Sequence, residues 1–401
     1  MNTKTIVFGL DGASWELIKP WAEQGKLPIF KKLLEEGVHG NLVSTIPPVT
    51  IPAWPAMYTG LNPGKIGAFD FRYLDRHYKE HYHNSHTLKG ERVWDMLNSH
   101  GYTVAIINIP GTYPVNKVNG EMIAGMLAPD KNFTYPESLE SKLKEMEYVI
   151  EPKPGNIYKN AIACFQKRAK ILKLYLNKNY DFIFIVFRLP DVLSHHPEIT
   201  KDQYLKAYKK IDGFLGEITK SGDMNIFITS DHGIKFNVRQ PLFFLNTWLI
   251  QNGYLSLKYD LKFNFSQRII SKIREFIVKN NIKLPPSILS LHKKVPSPIQ
   301  KFNIDMIDFE STKAISFGVS MSCYAGIYIN SEDRFESGIV PRDKYDATRM
   351  EIIEKLRREG LSAHRSEEIY GTKSERIPDI IVKFSALVQS CNITSNLFGP
   401  S

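Results

Sequence analysis

Three apolar stretches of the sequence each lead into an aspartate within a few residues. Such stretches, rich in β-branched and aromatic residues, are typical of strands buried inside a parallel sheet. The stretches and the polar residues that follow them are 5–8 with Asp11, 182–187 with Asp191, and 225–229 with Asp231 and His232. Ligands of open parallel sheets bind beyond the carboxyl ends of the strands, so we expect these side chains to lie together.

Three carboxylates in one place repel one another unless a positive charge lies between them, and a divalent metal ion supplies that charge. Zinc accepts both aspartate oxygen and histidine nitrogen. Asp191 and His195 are four residues apart, which puts both on one face of a helix. Each pattern alone has a plainer interpretation, because Asp-Gly and Asp-His-Gly after a strand are usually turns. Their occurrence at one end of the same sheet favours a metal site.

A threonine near a helix start supplies a candidate nucleophile. Thr50 suits the N-cap of a helix, and Pro52 suits its first turn. The N-terminus of a helix favours a phosphate group through its free N–H groups and its dipole. A threonine hydroxyl is a weak nucleophile, but coordination to a metal activates it. Capping and catalysis are both open interpretations of Thr50, and they are compatible.

Helical patterns alternate with the strands, which predicts an α/β sandwich. The helical patterns lie at 91–99, 161–176, 204–218 and 345–359. Residues 252–310 interrupt the alternation with an amphipathic, basic helix and several prolines. We interpret them as a small helical cap inserted into a core of residues 1–251 and 311–401. A peripheral helical hairpin packed on the core is the alternative.

The charge of the chain is concentrated in one segment. The net charge is +10, and the segment 258–301 holds ten Lys/Arg against two acids. The basic balance is therefore local and does not indicate a specific nucleic-acid partner. The sequence has no transmembrane-length apolar run and no signal-peptide pattern, which predicts a cytoplasmic protein. Three widely spaced cysteines predict neither a disulfide framework nor a zinc knuckle.

The order of motifs resembles that of a known family. The segments FGLDGASW, PPVTIPAWPAMYTGLNPGKIGAFDF, PDVLSH and SDHG follow one another along the chain. In this order they are similar to the type I phosphodiesterase/nucleotide pyrophosphatase family of the alkaline phosphatase superfamily. The resemblance extends over nearly the whole chain except the basic insertion. It implies an alkaline-phosphatase-like three-layer sandwich with a mostly parallel central sheet.

The resemblance also implies two divalent metal ions, zinc in the first place and manganese as the alternative. Its motifs place one metal on Asp11, Thr50, Asp231 and His232, and the other on Asp191, His195 and a further histidine. In the family that histidine follows a stretch similar to Ser-Asn-Leu-Phe-Gly near the C-terminus. This sequence ends at Ser401 without it, so the second site is expected to be incomplete. Ala53 stands where nucleotide pyrophosphatases commonly have asparagine, which argues against nucleotide-diester specificity.

The function predicted from these residues is metal-dependent hydrolysis of phosphate esters, either phosphodiesters or nucleotide pyrophosphates, through a phospho-threonine on Thr50. The partner is a small phosphorylated substrate, and the oligomeric state is open. Within the superfamily the alternative is a phosphomutase or a phosphomonoesterase. A different alternative is a non-catalytic protein that binds anions or a membrane surface through its basic cap. Loss of hydrolysis on replacement of Thr50 distinguishes the enzyme from the binding protein.

Overall fold

The structure is a computed structural model that describes residues 3–234, 241–259, 300–318, 322–389, 392–393 and 398–400. Two compact units divide the chain: Met1–Ile66 with His83–Asn237, and Gly67–Tyr82 with Val238–Ser401. Most of the predicted cap, residues 260–299, lies outside the described residues, so the cap and its boundaries stay predictions. In the described ranges, no helix combines the length and the apolar character needed to span a membrane.

The first unit alternates strands and helices along the chain. Its strands are β1 (Lys4–Leu10), β4 (Val104–Ile109), β5 (Gly120–Ala124), β6 (Thr134–Tyr135), β7 (Phe182–Phe187) and β8 (Met224–Thr229). Its helices are α1 (Trp15–Glu23), α2 (Pro28–Glu36), α3 (Thr50–Thr59), α4 (Pro63–Ile66), α5 (Val93–Ser99), α6 (Leu139–Glu145), α7 (Ile157–Leu176), α8 (Leu189–Ser194) and α9 (Lys201–Ile218). The alternation confirms the predicted α/β class.

The six strands of this unit form one sheet in the order β6-β5-β4-β7-β1-β8. Every neighbouring pair is parallel except β5 with β6. In the register, Thr5 of β1 lies between Phe182 of β7 and Asn225 of β8. The carboxyl ends of these three strands are therefore side by side, as the sequence predicts.

Helices cover both faces of the sheet. On one face, Phe8 and Ile185 pack with side chains of α1, α2, α7 and α9. On the other face, Phe184 packs with Trp54 of α3 and Trp94 of α5. Successive side chains of a strand point to opposite faces, so one sheet serves two apolar cores. The unit is thus the three-layer sandwich that the motifs imply.

Two local expectations change in the structure. β8 is not buried on both faces, because it is the last strand in the order and its Phe227 is 59% exposed. The predicted helices at 161–176 and 204–218 begin a few residues earlier, as α7 and α9. The side chains of Asn156 and Thr200 cap them by accepting hydrogen bonds from backbone N–H groups of the first turn. Apolar periodicity begins only after these caps, which is why it placed both starts too late.

The second unit is built around a mostly antiparallel sheet. Its strands are β2 (Arg72–Leu74), β3 (Glu80–Tyr82), β9 (Pro241–Phe244), β10 (Gln300–Lys301), β11 (Ala314–Ser316), β12 (Ser322–Ile329), β13 (Ser362–Arg365), β14 (Ile380–Gln389), β15 (Asn392–Ile393) and β16 (Phe398–Pro400). Its helices are α10 (Leu245–Gln251), α11 (Tyr345–Arg358) and α12 (Ser366–Tyr370), with 3₁₀ turns at Ile304–Met306 and Arg342–Lys344. The larger sheet runs β11-β12-β14-β9-β16, and β13 also pairs with β14.

Candidate active site

Asp11 lies immediately beyond β1 and is fully buried. Its backbone N–H donates to the carbonyl of Phe187 at 3.0 Å, and its carbonyl accepts from the N–H of Asp191 at 3.1 Å. Gly12 takes a φ of +70° at this turn, and a Cβ there would lie 3.0 Å from the Cα of Asp191. Glycine therefore allows the ends of β1 and β7 to approach closely, which brings the first two predicted aspartates together.

Asp231 and His232 follow β8 and complete a cluster with Asp11. The backbone N–H of Gly12 donates to Asp231 Oδ1 at 3.2 Å. His232 Nε2 is 3.3 Å from Asp231 Oδ2 and 3.6 Å from Asp11 Oδ1. One ligand atom from each of these three residues lies within 4.8 Å of the others, a spacing that suits a single metal ion. These three predicted ligands are therefore brought together.

Thr50 is the first residue of α3, and its hydroxyl faces the same cluster. Its Oγ1 lies 3.2 Å from His232 Nε2. The N-cap position is Val49, and no side chain caps this helix. The interpretation of Thr50 as a capping residue is therefore wrong. Its oxygen faces the cluster of Asp11, Asp231 and His232 instead, which is the position predicted for the nucleophile.

Trp54, one turn further along α3, supports Asp11. Its indole Nε1 donates a hydrogen bond to Asp11 Oδ2 at 3.1 Å. Gly9 makes room for the ring, since a Cβ at that position would come within 2.5 Å of Trp54 Cη2. No role was predicted for Trp54 from the sequence. Ile51, between Thr50 and Trp54, has non-helical φ and ψ of −108° and 108°, so helical spacing from Thr50 does not place the indole, and only the tertiary structure brings it to Asp11.

Arg188 is the functional residue that sequence reasoning missed most clearly. It lies between β7 and α8, and its side chain is 7% exposed. Its guanidinium contacts three carboxylates: Nε to Asp11 Oδ2 at 3.3 Å, Nη2 to Asp191 Oδ2 at 2.9 Å, and Nη1 to Glu151 Oε2 at 2.5 Å. Arg188 follows an apolar strand just as Asp11 does, so its position carried the same signal.

Asp191 and His195 form a separate pair on α8. Asp191 Oδ1 lies 3.2 Å from His195 Nε2, which confirms that the two residues share one helix face. The Asp191 side chain is buried, whereas that of His195 is 73% exposed. The neighbouring His196 is directed elsewhere, since its Nδ1 pairs with Glu198 at 3.1 Å. The predicted second metal site is thus represented by two residues of the described chain.

The buried carboxylate oxygens differ in whether they have hydrogen-bond partners. Asp11 Oδ1 and Asp231 Oδ2 are buried and accept no hydrogen bond. Buried oxygens of this kind are uncommon in native proteins and are compatible with an ion at the site. Asp11, Asp231, His232 and Thr50 therefore fit one divalent metal ion. Asp191 Oδ1 lies 3.2 Å from His195 Nε2, much as Asp231 Oδ2 lies 3.3 Å from His232 Nε2, but the other oxygen of Asp191 already binds Arg188.

The pKa shifts also distinguish Asp191 from Asp11 and Asp231. Burial, together with the charges of Asp231 and Asp191, raises the pKa of Asp11 well above its ordinary value. Burial raises the pKa of Asp231 to about 6 despite the opposing effect of His232. For Asp191, burial acts in the same direction, but the hydrogen bond from His195 and the charge of Arg188 lower its pKa overall. Arg188 contacts both Asp191 and Asp11, yet the pKa is lowered overall only for Asp191, so the carboxylates of Asp11 and Asp231 favour a further cation.

The pKa of His232 is raised as well, because carboxylates surround the imidazole. Burial lowers the pKa of its imidazole, but the carboxylates of Asp231, Asp11 and Asp191 outweigh that effect, so the pKa is raised. The cluster therefore attracts positive charge at the imidazole position. A metal ion, whose ligands must be deprotonated, would compete with these protons.

A cavity adjoins the cluster. It has a volume of about 500 Å³ and lies beside β8 and α2, where Ile226, Ile228 and Leu34 contribute an apolar wall. His232 and Ser44 line it as well, so the cavity reaches the metal-binding cluster. Its size falls in the range that accommodates small-molecule ligands.

Comparison with known proteins gives a family and a fold. The sequence profile of the family described as type I phosphodiesterase/nucleotide pyrophosphatase matches residues 5–387. No curated protein matches the chain at a significant level.

Solved structures are similar over nearly the whole chain. Phosphonoacetate hydrolase from Sinorhizobium meliloti 1021, in complex with phosphonoacetate, is 13% identical with a TM-score of 0.60, covering 100% of this chain and 90% of that chain. An inactive form of murine ectonucleotide pyrophosphatase/phosphodiesterase 5, in complex with AMP, is 14% identical with a TM-score of 0.55, covering 99% and 83%. The human protein of that name is 16% identical with a TM-score of 0.53 and the same coverage. At these identities the likeness establishes the alkaline-phosphatase-like fold.

Proposed function

The chain belongs to the type I phosphodiesterase/nucleotide pyrophosphatase family, and from that premise we propose that it hydrolyses phosphoric esters with the Thr50 hydroxyl as nucleophile. The reaction depends on a divalent metal ion held by Asp11, Asp231, His232 and Thr50. The substrate is a small phosphorylated molecule, and phosphodiesters are the first class to test.

One observation carries this proposal. The Thr50 hydroxyl lies 3.2 Å from His232 Nε2, and that nitrogen lies within 3.6 Å of both Asp11 and Asp231. A buried hydroxyl beside two carboxylate oxygens that accept no hydrogen bond suits a nucleophile activated by a metal ion. Thr50 does not cap its own helix, whose N-cap position is Val49.

The chemistry then takes two displacements at phosphorus. Thr50 Oγ1 loses its proton to solvent and attacks phosphorus, which gives a phospho-threonine ester while the P–O bond to the leaving group breaks. Water attacks the same phosphorus in the second step, and the bond to Oγ1 breaks to restore the threonine. A divalent ion at the cluster supplies the positive charge that lowers the pKa of the hydroxyl and offsets the charge developing on the phosphoryl oxygens.

The remaining residues act by positioning. Trp54 fixes the orientation of Asp11 through its indole N–H. The cavity beside His232 offers space for the organic group of the ester. Its wall of Ile226, Ile228 and Leu34 favours an apolar group over a charged one.

The proposal is tested with two variants of Thr50. Thr50→Ala removes the nucleophile, so turnover of bis(p-nitrophenyl) phosphate should fall by about 100-fold or more in the presence of zinc or manganese, since a covalent step contributes several kcal/mol to the barrier. Thr50→Ser keeps a hydroxyl at the same place and should retain measurable turnover. Denatured wild-type protein, quenched during turnover, should carry a phosphoryl or aryl-phosphoryl group on Thr50 by mass spectrometry.

Metal content and thermal unfolding of the Thr50→Ala protein serve as controls for folding. Turnover above about one hundredth of the wild-type value in a folded Thr50→Ala protein would contradict the nucleophile assignment. Absence of hydrolysis of mono- and diesters by metal-loaded wild type would instead favour the non-catalytic alternative.

A further inference from the structure

We propose that Arg188 takes the place of the second metal ion, so that the site works with one divalent ion and one fixed guanidinium. This inference rests on the proposed function, because it concerns the charge balance of the same site. It departs from the two-metal arrangement that the family resemblance implies. Arg188 is a positioning residue in this scheme: it holds Asp191 and Asp11 together and neutralises them.

The contacts of Arg188 carry the first part of the argument. Its Nη2 is 2.9 Å from Asp191 Oδ2 and its Nε is 3.3 Å from Asp11 Oδ2, so one guanidinium bridges the two aspartates. A second metal ion bound through Asp191 would have to share that carboxylate with Arg188. Arg188 is buried and permanently charged, and a guanidinium fits two carboxylates through its planar set of donors. A cation bound in this way is not displaced by changes in pH or metal supply.

The pattern of unpaired oxygens gives the second part. Asp11 Oδ1 and Asp231 Oδ2 are buried without a partner. Both lie near His232 Nε2, at 3.6 Å and 3.3 Å, and Asp191 Oδ1 has a similar neighbour in His195 Nε2 at 3.2 Å. Asp191 Oδ2 differs, because it binds the guanidinium of Arg188 at 2.9 Å. The carboxylate of Asp191 therefore has a permanently charged partner, whereas among the described residues Asp231 has an ion pair only with the titratable imidazole of His232.

Charge balance gives the third part. Three buried aspartates, Asp11, Asp191 and Asp231, meet in the site, and one arginine with one divalent ion neutralises them. The further carboxylate on Arg188, Glu151, lies 3.9 Å from Arg168 and so has its own counter-charge. A second divalent ion next to Arg188 would put two cations against the same carboxylate of Asp191. Like charges at such distances oppose each other strongly inside a protein.

Arg188 is not placed to bind substrate. Each of its three guanidinium nitrogens already donates to a carboxylate of the chain, and the side chain is 7% exposed. Its effect on the reaction therefore passes through Asp11 and Asp191. That distinguishes it from an arginine that contacts the phosphoryl group directly.

Metal binding tests the inference without requiring turnover. We would compare wild type, Arg188→Met and Arg188→Lys by titration with Zn²⁺ and Co²⁺, with metal counted per folded chain and the Co²⁺ absorption bands recorded. Wild type should bind about one ion tightly. Arg188→Met leaves Asp191 Oδ2 without its cation, so the affinity for a second equivalent should rise by about tenfold or more, in the range typical of changes around metal ligands. A second set of Co²⁺ bands should accompany it.

Arg188→Lys keeps the charge but cannot bridge two aspartates, so its second-equivalent affinity should lie between those of wild type and Arg188→Met. Arg349→Met is the matched control. It removes another buried arginine, which pairs with Asp346 and Glu367 and contacts none of Asp11, Asp191 and Glu151 in the described structure. It should bind metal as wild type does.

Two results would overturn the inference. One is tight binding of two ions by wild type. The other is a folded Arg188→Met protein, or a folded Arg188→Lys protein if the former fails to fold, whose second-equivalent affinity equals that of wild type. If these titrations succeed and no variant hydrolyses any ester, the charge role of Arg188 holds while the proposed function fails.

Discussion

The two halves of the candidate site use similar residues and differ in what balances their charge. Asp11, Asp231 and His232 follow two strands and leave two carboxylate oxygens without partners. Asp191 and His195 lie on a short helix, and Arg188 already neutralises that carboxylate. Both halves have the residue types of a metal site. We infer that the first half holds an ion, whereas the carboxylate of the second half is compensated by Arg188, which also contacts Asp11.

The comparison shows that residues with the spacing of metal ligands do not by themselves make a metal site. The Asp-x-x-x-His spacing places Asp191 and His195 together, as the sequence predicts. Whether that pair attracts a metal depends on the charge of its surroundings, and Arg188 contributes to them from the end of the neighbouring strand β7. A buried carboxylate without a counter-charge favours a bound cation, and one paired with arginine does not.

The largest expected effect comes from removing the ligands of one half at a time. The double variant Asp231→Ala, His232→Ala should lose nearly all of its tightly bound metal and its turnover, because two of the four proposed ligands are gone. The double variant Asp191→Ala, His195→Ala should keep about one ion per chain. Quantitation of bound metal by mass spectrometry compares the two double variants. Equal metal loss in the two variants would abolish the distinction between the halves.

A tenfold effect is expected from Trp54. Trp54→Phe removes the indole N–H that donates to Asp11 Oδ2, so metal affinity should fall by about tenfold, as for other residues that orient metal ligands. Trp94→Phe is the matched control. Trp94 is also fully buried in the same core, but its Nε1 has no hydrogen-bond partner. Equal affinities of the two variants for Zn²⁺ in a chelator competition would refute the role of Trp54.

The halves should also respond to pH in opposite directions in metal-free protein. The pKa of Asp231 rises from 3.8 to about 6 on folding. The folded chain therefore binds more protons than the unfolded chain between these values, and the free energy of unfolding falls as pH rises through this window. Asp191, whose pKa is lowered, contributes stability above about pH 4 that is lost as pH falls below it.

Asp231→Asn checks this prediction. Denaturant unfolding of metal-free protein between pH 4 and pH 7 should show a smaller decline for the variant than for wild type. Asp11 and His232, whose pKa values are also raised, act in the same direction and leave part of the decline in place. If the free energy of unfolding of wild type rises over this pH range as much as that of Asp231→Asn, the predicted sign of the Asp231 contribution is wrong. Added Zn²⁺ should remove most of the wild-type decline, since the ion binds the deprotonated form.

The smallest effect is expected for His195→Ala. The imidazole is 73% exposed, and ion pairs of exposed groups contribute about 0–1 kcal/mol. Metal content should stay at about one ion per chain, and the free energy of unfolding should change by less than about 1 kcal/mol. A loss of one ion per chain in this variant would show that the Asp191 half does hold a metal.

Much of the fold could be predicted from the sequence because its signals are local. Apolar runs predicted β1, β7 and β8, and periodicity predicted α5, α7, α9 and α11, with errors at their ends where capping residues decide. The exposure of Phe227 was missed, because position at the edge of a sheet depends on which strands pair.

The residues of the candidate cluster could be predicted from their positions along the sequence. Strand ends carrying Asp11, Asp231 and His232, and a helix start carrying Thr50, are readable along the sequence, and parallel strands bring such ends to one edge. Tertiary structure alone decided the partners: Thr50 faces His232, Trp54 supports Asp11, and Arg188 bridges two aspartates. These contacts join residues up to 182 positions apart. Spacing along a chain carries no information about charge compensation across such distances, because burial and neighbours set it only once the strands are paired.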